Sequence, residues 1–246
     1  MPATDPLPDE IRLECGPVRL GGREVLAPLQ LVLTERRIGI LGRNGSGKTT
    51  LMRMIAGLIA PVSGQVTIGG ADPFRDRKAA LRSIGILFQN PDHQILFPTA
   101  EEELAFGLRQ TGLPQREALA RARAALAAEG RAHWAQASVS TLSGGQRQYL
   151  CLLSLLLMQP GTLLLDEPFT GLDLPTLIRL RRRLAALPQR LITIGHDGAA
   201  LAGADRLIWM EAGRIAADGP PARVLPLWQA EMERQGALDA DADLAG

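Results

Sequence analysis

The chain has 246 residues, 46% of them apolar, a formal net charge of +1 and two cysteines. That length buries the core of one large domain or of two intimate lobes, and the near-neutral balance leaves no polyanion-binding footprint, so nucleic acid is not an expected partner. Cys15 and Cys151 allow neither a disulfide framework nor zinc-site spacing, and they fit a reducing, cytoplasmic setting. Residues 1–10 are polar and proline-rich and read as no secretory signal. The apolar runs at 150–158 and 163–165 are far too short to cross a bilayer. The expectation is a soluble chain with no direct membrane insertion, any membrane role coming through partners.

Residues 11–33 alternate apolar and polar around a Gly21-Gly22 turn and predict a small antiparallel sheet. The apolar run Ile38-Gly39-Ile40-Leu41 then leads into Gly42-Arg43-Asn44-Gly45-Ser46-Gly47-Lys48-Thr49, and a helical pattern opens at Thr50 and runs to 58. Strand, glycine turn and helix in that order fit the phosphate-binding loop G-x-x-x-x-G-K-[ST]. Glycines let the backbone wrap a phosphate chain with its N–H groups inward, and the helix adds the positive end of its dipole. Lys48 is placed to reach the β- and γ-phosphates, and the Thr49 hydroxyl to ligate Mg²⁺. Lys48 and Lys78 are the only lysines among 27 Lys and Arg residues. A slim ammonium is what such a cradle needs and a guanidinium does not replace it.

Residues 65–68 read as a strand closed by Gly69-Gly70, residues 74–83 as a helix, and 84–88 as a buried strand with Gln89 at its end. In a parallel sheet, ligand-contacting residues sit at strand C-termini, so Gln89 is a candidate Mg²⁺ or water-positioning ligand. Thr99 with Glu102 three residues on predicts a helix start. Helices then dominate to His133, and residues 90–159 read as a helical lobe inserted into an α/β core. His133 and Trp134 read as packing at its end.

Leu142-Ser143-Gly144-Gly145-Gln146 precedes an apolar helix that ends at Gln159-Pro160-Gly161. Ser143 caps it, and the two glycines leave its N-terminus bare, a second anion site. One phosphate loop already serves this chain. The economical explanation is that this site serves another molecule's nucleotide, with two copies facing head-to-tail. Next, Leu163-Leu164-Leu165 ends in Asp166-Glu167-Pro168. Asp166 suits the Mg²⁺ shell, and Glu167 is placed to polarise an attacking water. A turn at Gly171-Leu172-Asp173 leads into a helix at 174–187, in which Arg181-Arg182-Arg183 reads as a solvated face. The buried run 191–195 ends in His196, which can donate to a γ-phosphate or orient Glu167. Residues 205–210 and 213–216 read as a hairpin, and from 232 the chain turns polar and Ala/Asp-rich, which reads as a frayed end.

These six motifs in this order resemble an ATP-binding-cassette ATPase subunit, over roughly residues 11–225. The resemblance implies an α/β fold: a P-loop (RecA-like) core with an N-terminal antiparallel β subdomain and an inserted helical subdomain. It implies one domain over 9–230, core at 9–89 and 160–230, helical insert at about 90–159, and a flexible tail at 231–246. It implies ATP and Mg²⁺ as ligands. Residues 42–50 and the signature Leu142–Gln146 would contact nucleotide, with Asp173 in a D-loop, Gln89 in a Q-loop and His196 as the switch histidine. Phe88-Gln89-Asn90-Pro91-Asp92-His93-Gln94 and the run from Phe97 to Gly107 are similar to the ATPases of energy-coupling-factor importers. Residues 94–99 and 166–173 look most like their biotin-type members. Partners implied are a second copy, a transmembrane coupling protein and a membrane-embedded substrate-capture protein, at the cytoplasmic face of the membrane. A cobalt or nickel importer, or a soluble ATPase with no transport role, are the alternatives. Two departures stand out: the aromatic expected to stack on adenine is missing, with Leu20 near that position, and Tyr149 and Ser154 stand where the family often has arginine.

Overall fold

The computed structural model describes residues 10–243, and side chains as far as 237. Residues 1–9, including the stretch that reads as no secretory signal, lie outside the described residues. Two compact units emerge: residues 77–189 form one, and residues 10–76 with 190–243 form the other.

β1 (Ile11–Cys15) buries Ile11, Leu13 and Cys15 and exposes Arg12 and Glu14. This is the period-two pattern of a strand with one face on a core. β2 (Val18–Leu20) and β3 (Arg23–Leu26) form a hairpin across Gly21 and Gly22, at φ 55° and 80°. Both turn residues need positive φ, and only glycine supplies it without strain. β4 (Leu29–Leu33) and, later, β6 (Gly64–Ile68) flank β1 antiparallel, with Ile11 opposite both Leu33 and Ile68. The expected antiparallel sheet is therefore present.

β5 (Arg37–Leu41) is buried from Ile38 onward. α1 (Lys48–Ile55) follows the glycine loop. It ends before the 58 expected from sequence, because Gly57 turns left-handed at φ 71° and Leu58 N–H closes onto Arg53 O.

In the 77–189 unit, α2 (Arg77–Ser83) leads into β7 (Ile84–Leu87). The helix starts later than the 74 read from sequence, since the Asp72 carboxylate accepts the Phe74 N–H at 2.8 Å and holds a turn there. α3 (Ala100–Gln110) is capped by Thr99. Glu102 returns its carboxylate to the Thr99 hydroxyl at 2.6 Å and not to the Thr99 N–H, so the expected capping box is half formed. α4 (Gln115–Ala128) buries only Ala118, Ala122 and Leu126, one narrow stripe at spacing four. α5 (Gly144–Met158) buries Gln148 and the run Leu150–Leu155, and Gln159 ends it in the left-handed region at φ 55°. These three helices close a core on Leu104, Leu126, Trp134 and Leu150. Trp134 packs as expected, and His133 is exposed. β8 (Thr162–Asp166), buried throughout, pairs in parallel with β7. α6 (Leu174–Ala185) starts at the Asp173 cap and Pro175.

Back in the other unit, β9 (Arg190–Gly195) pairs in parallel with β5. α7 (Gly198–Leu201) is a single turn capped by Asp197. β10 (Arg206–Glu211) joins the other edge of β5 in parallel and hairpins to β11 (Arg214–Gly219). α8 (Pro221–Asp243) then runs through most of the stretch that reads as a frayed end. Tertiary contact explains the difference: Trp228 packs edge-on to Trp209 at 5.7 Å, beside buried Val224. Burying an indole is worth about 3–5 kcal/mol, enough to outweigh weak apolar periodicity further along. The final residues, 244–246, lie outside the described residues.

Candidate nucleotide site

Strand register builds the phosphate loop's surroundings. Leu41 stands opposite Gly195 of β9 and opposite Trp209 of β10. Gly42 and His196, the residues that follow, therefore leave the sheet side by side, next to Met210 near the end of β10. A Cβ on Gly42 would lie 2.4 Å from Met210 O and 2.5 Å from Ser46 Oγ, so only glycine fits there. Gly47 adopts φ 101° and a Cβ on it would meet Leu26 at 2.6 Å. Lys48 is 5% exposed. Its ammonium donates to Gly42 O at 2.7 Å and Arg43 O at 2.8 Å, which folds the loop around it.

No side chain caps α1, and no acidic residue lies in its first turn. Its N–H groups and dipole thus face the loop without a competing anion from their own helix. The Ser46 hydroxyl is buried with no hydrogen-bond partner among the described residues. Buried polar groups are normally satisfied, so an orphaned donor inside this cradle fits a phosphate oxygen. Thr49 and Thr50 are the next residues of α1, with Thr50 buried. Asn44 and Gly45 sit at the exposed tip.

The 77–189 unit brings a second group together. Leu87 opposes Leu165, so Gln89 and Glu167 follow their strands in step. The Gln89 amide donates to the Glu167 carboxylate at 2.9 Å, and Thr170 Oγ1 donates to the same oxygen at 3.2 Å. Asp166 is 6% exposed at the end of β8. Glu167 holds φ 46°, a left-handed backbone unusual for a non-glycine residue. Such strain, about 1–3 kcal/mol, persists where the surroundings enforce it and clusters at functional sites. Thr170 had no role in the sequence reading; a hydroxyl three residues past a strand-end glutamate was the available signal.

Ser143 caps α5 by accepting from Gln146 N–H, and the Gln146 side chain accepts from Ser143 N–H at 2.7 Å. This complete capping box shows that Gln146 has a structural use. Leu142 is buried in the helical core. Nothing lies within 4 Å of a Cβ built on Gly144, so the helix N-terminus is open there, and Gly145 faces Leu172 at 3.3 Å. Asp173 caps α6 by accepting Thr176 N–H at 3.0 Å. That hydrogen bonding holds its carboxyl below the usual range.

Tyr149 and Ser154 are also explained. The Tyr149 hydroxyl donates to Glu129, which also pairs with Arg183 of α6. Arg131 stacks 4.6 Å from both the Trp134 and Tyr149 rings. Arg183 is thus engaged within its own unit, and Arg181 lies 5.1 Å over Phe169, so the basic run is less purely solvated than its composition implies. Ser154 is buried against Gly107, where the small side chain lets α3 and α5 approach. Burial, then the bond to Glu129, pushes the Tyr149 phenol up to about 12. Tyr149 is the only tyrosine, so tyrosinate absorbance reports it alone. Folded protein should show half-titration near pH 12, and titration near 10 would contradict the buried bond. Because the folded value is raised, the stability it contributes is complete below about pH 10 and lost as pH rises through about 12.

Residues 30–170 match the family described as ABC transporter. The chain belongs to that family. It is an ATP-binding subunit of the ABC transporter class and an ATPase. It is 54% identical over 212 residues to the biotin transport ATP-binding protein BioM of Rhodobacter capsulatus, covering 86% of this chain and 91% of that protein. It is 36% identical over 189 residues to an energy-coupling factor transporter ATP-binding protein of Streptococcus agalactiae, covering 75% of this chain and 68% of that one. Among solved structures, cbiO1 of Clostridium perfringens, part of the ABC transporter complex cbiONQ, superposes with a TM-score of 0.75 at 28% identity, covering 94% of this chain and 95% of that one. The α/β cassette fold expected from the motifs is therefore the observed one.

The ABC motifs fall in two groups by unit: loop and His196 in one, Gln89, Asp166, Glu167 and the signature in the other. Among the described residues no helix is long and apolar enough to cross a membrane, and none of their acidic, His and Cys side chains cluster in threes as a metal site.

Proposed function

We propose that this chain is the ATP-hydrolysing subunit that energises biotin uptake through an energy-coupling-factor importer, at the cytoplasmic face of the membrane. The observation that carries the reading is the 54% identity to a biotin transport ATP-binding protein across 91% of its length. The cassette spans 9–230, with core at 9–89 and 160–230 and helical insert at about 90–159. A transmembrane coupling protein and a substrate-capture protein complete the assembly.

Two copies face head-to-tail, each ATP lying between the 42–50 loop of one and the signature of the other. Thr49, Gln89 and Asp166 would hold Mg²⁺; hydroxyl, amide and carboxylate oxygens are the hard donors that ion takes, with phosphates filling other positions. When bound, Mg²⁺ neutralises phosphate charge. Glu167 takes the proton as the water oxygen bonds the γ-phosphorus and the bond to the β,γ-bridging oxygen breaks. Lys48, loop N–H groups, His196, and Ser143 and Gly145 of the second copy stabilise the equatorial oxygens. Asp173 positions the loop that faces the opposing copy.

Two bonds support transmission from Gln89 onward. Asp92 pairs with Arg147 at 2.9 Å, and Gln148 Nε2 donates to Phe88 O at 3.3 Å. The chain on both sides of Gln89, at Phe88 and at Asp92, is thereby tied to the first turns of α5.

Gly145→Asp tests the head-to-tail arrangement. The new Cβ meets the tip of Leu172 at 3.3 Å and the Thr176 methyl at 3.9 Å, both side-chain ends, and an acid in a helix's first turn suits its dipole. Folding should hold, while a carboxylate facing the γ-phosphate cuts ATP-dependent dimerisation at least about tenfold. Light scattering with and without ATP reads it, and a normal dimer would contradict the arrangement.

The cargo is tested by affinity purification from gently solubilised membranes, with mass spectrometry of proteins and retained small molecules. A small membrane protein carrying biotin with a second membrane protein is the expected result. Cobalt or nickel instead would replace the cargo, and soluble partners alone would overturn the transport role.

A further inference from the structure

α8 reaches back to the phosphate loop. Gln235 accepts from the Arg43 guanidinium through Oε1, and its Nε2 donates to Glu231 at 2.6 Å and Glu211 at 3.1 Å. An amide offers acceptor and donors together, so it bridges a cation to two carboxylates, which neither a glutamate nor a lysine does. Glu231 is itself fixed by Arg234 at 2.6 and 2.8 Å. The helix is anchored by Trp228 on Trp209, and Trp209 stands opposite Leu41, the residue before the loop. Arg43 also lends its carbonyl to the Lys48 ammonium. The side chain that Gln235 grips and the carbonyl on which Lys48 rests belong to one residue.

We infer that Gln235 is a positioning residue for nucleotide binding: α8 acts as a strap that pins Arg43 and so keeps the phosphate loop in its binding shape. The inference rests on residues 42–50 being the nucleotide site, and on neither the cargo nor the dimer.

The test uses the full chain and a fluorescent ADP analogue, which does not require a second copy to bind. Gln235→Met keeps length and helix propensity but removes both functions of the amide. It should weaken ADP about three- to tenfold, within the net range of one ordinary hydrogen bond because Gln235 acts on the loop and not on the ligand, with the thermal midpoint of the ligand-free protein unchanged. Arg43→Gln removes the same bond from the loop side and leaves α8 intact. The double variant should bind no more weakly than Arg43→Gln alone, a coupling that a merely structural helix would not produce. Binding within twofold of wild type in Gln235→Met, or tighter binding, would overturn the inference. Failure of the underlying site reading shows separately, as wild-type protein that binds no ADP.

Discussion

Glu167→Gln should lower steady-state ATP hydrolysis by roughly 10²–10⁴-fold, the range for a general base, while ATP still binds. The substitution is isosteric. The amide oxygen of the introduced glutamine can still accept from Gln89 and Thr170, the two donors that now converge on the carboxylate at 2.9 and 3.2 Å. The strained backbone at φ 46° keeps a side chain of the same shape. What is lost is the group that takes the proton from water. ATP then stays intact between two copies, so a long-lived dimer should accumulate on a sizing column run with Mg²⁺ and ATP. Phosphate release measured on the same sample is the deciding readout. Turnover within a few-fold of wild type would remove Glu167 from the chemistry. Asp166 would be the next residue to test, since it is the buried neighbour at the end of the same strand.

The candidate site could be read from the sequence because its residue pattern is local. A strand, three glycines, a lysine and a threonine occupy one short stretch; that Gly42 and Gly47 also tolerate no side chain because of Met210, Ser46 and Leu26 was not readable there. The strand-end positions of Gln89 and Glu167 in one unit, and of His196 in the other, were also readable, since ligand-contacting residues sit at the C-terminal ends of parallel strands. What sequence did not show is long-range. Arg43 and Gln235 lie 192 residues apart, and no local pattern predicts that pair. α8 itself was hidden because its anchor is one tryptophan against another, and the helix beyond it has little apolar periodicity. Tyr149 read as a departure from a family pattern, and its reason lies on other helices: Glu129 at the end of α4 and Arg183 on α6. Helix ends moved where a single glycine or a side-chain cap intervened, as at Gly57 and Asp72.

Lys48→Ala should weaken ATP binding by roughly 100-fold or more. A charge-assisted hydrogen bond contributes up to about 3 kcal/mol, so losing the one that the ammonium's third N–H gives to phosphate already reaches about two decades. The ammonium also organises the loop, through Gly42 O at 2.7 Å and Arg43 O at 2.8 Å. Its removal leaves both carbonyls without that donor, so the loop should loosen even before nucleotide arrives. Two consequences separate this from a general loss of fold. ADP binding should fall as well, because the β-phosphate contact and the loop shape are both affected. The ligand-free thermal midpoint should move little, since deleting a buried charge also removes its desolvation cost. Lys48→Arg sharpens the argument. It retains the charge, but a planar guanidinium does not fit a side chain 5% exposed between two loop carbonyls. Titration calorimetry with ATP on all three proteins decides the matter. Arginine rescuing affinity to within a few-fold would mean that charge alone binds the phosphates; arginine failing like alanine would mean that the cradle selects the shape of the cation.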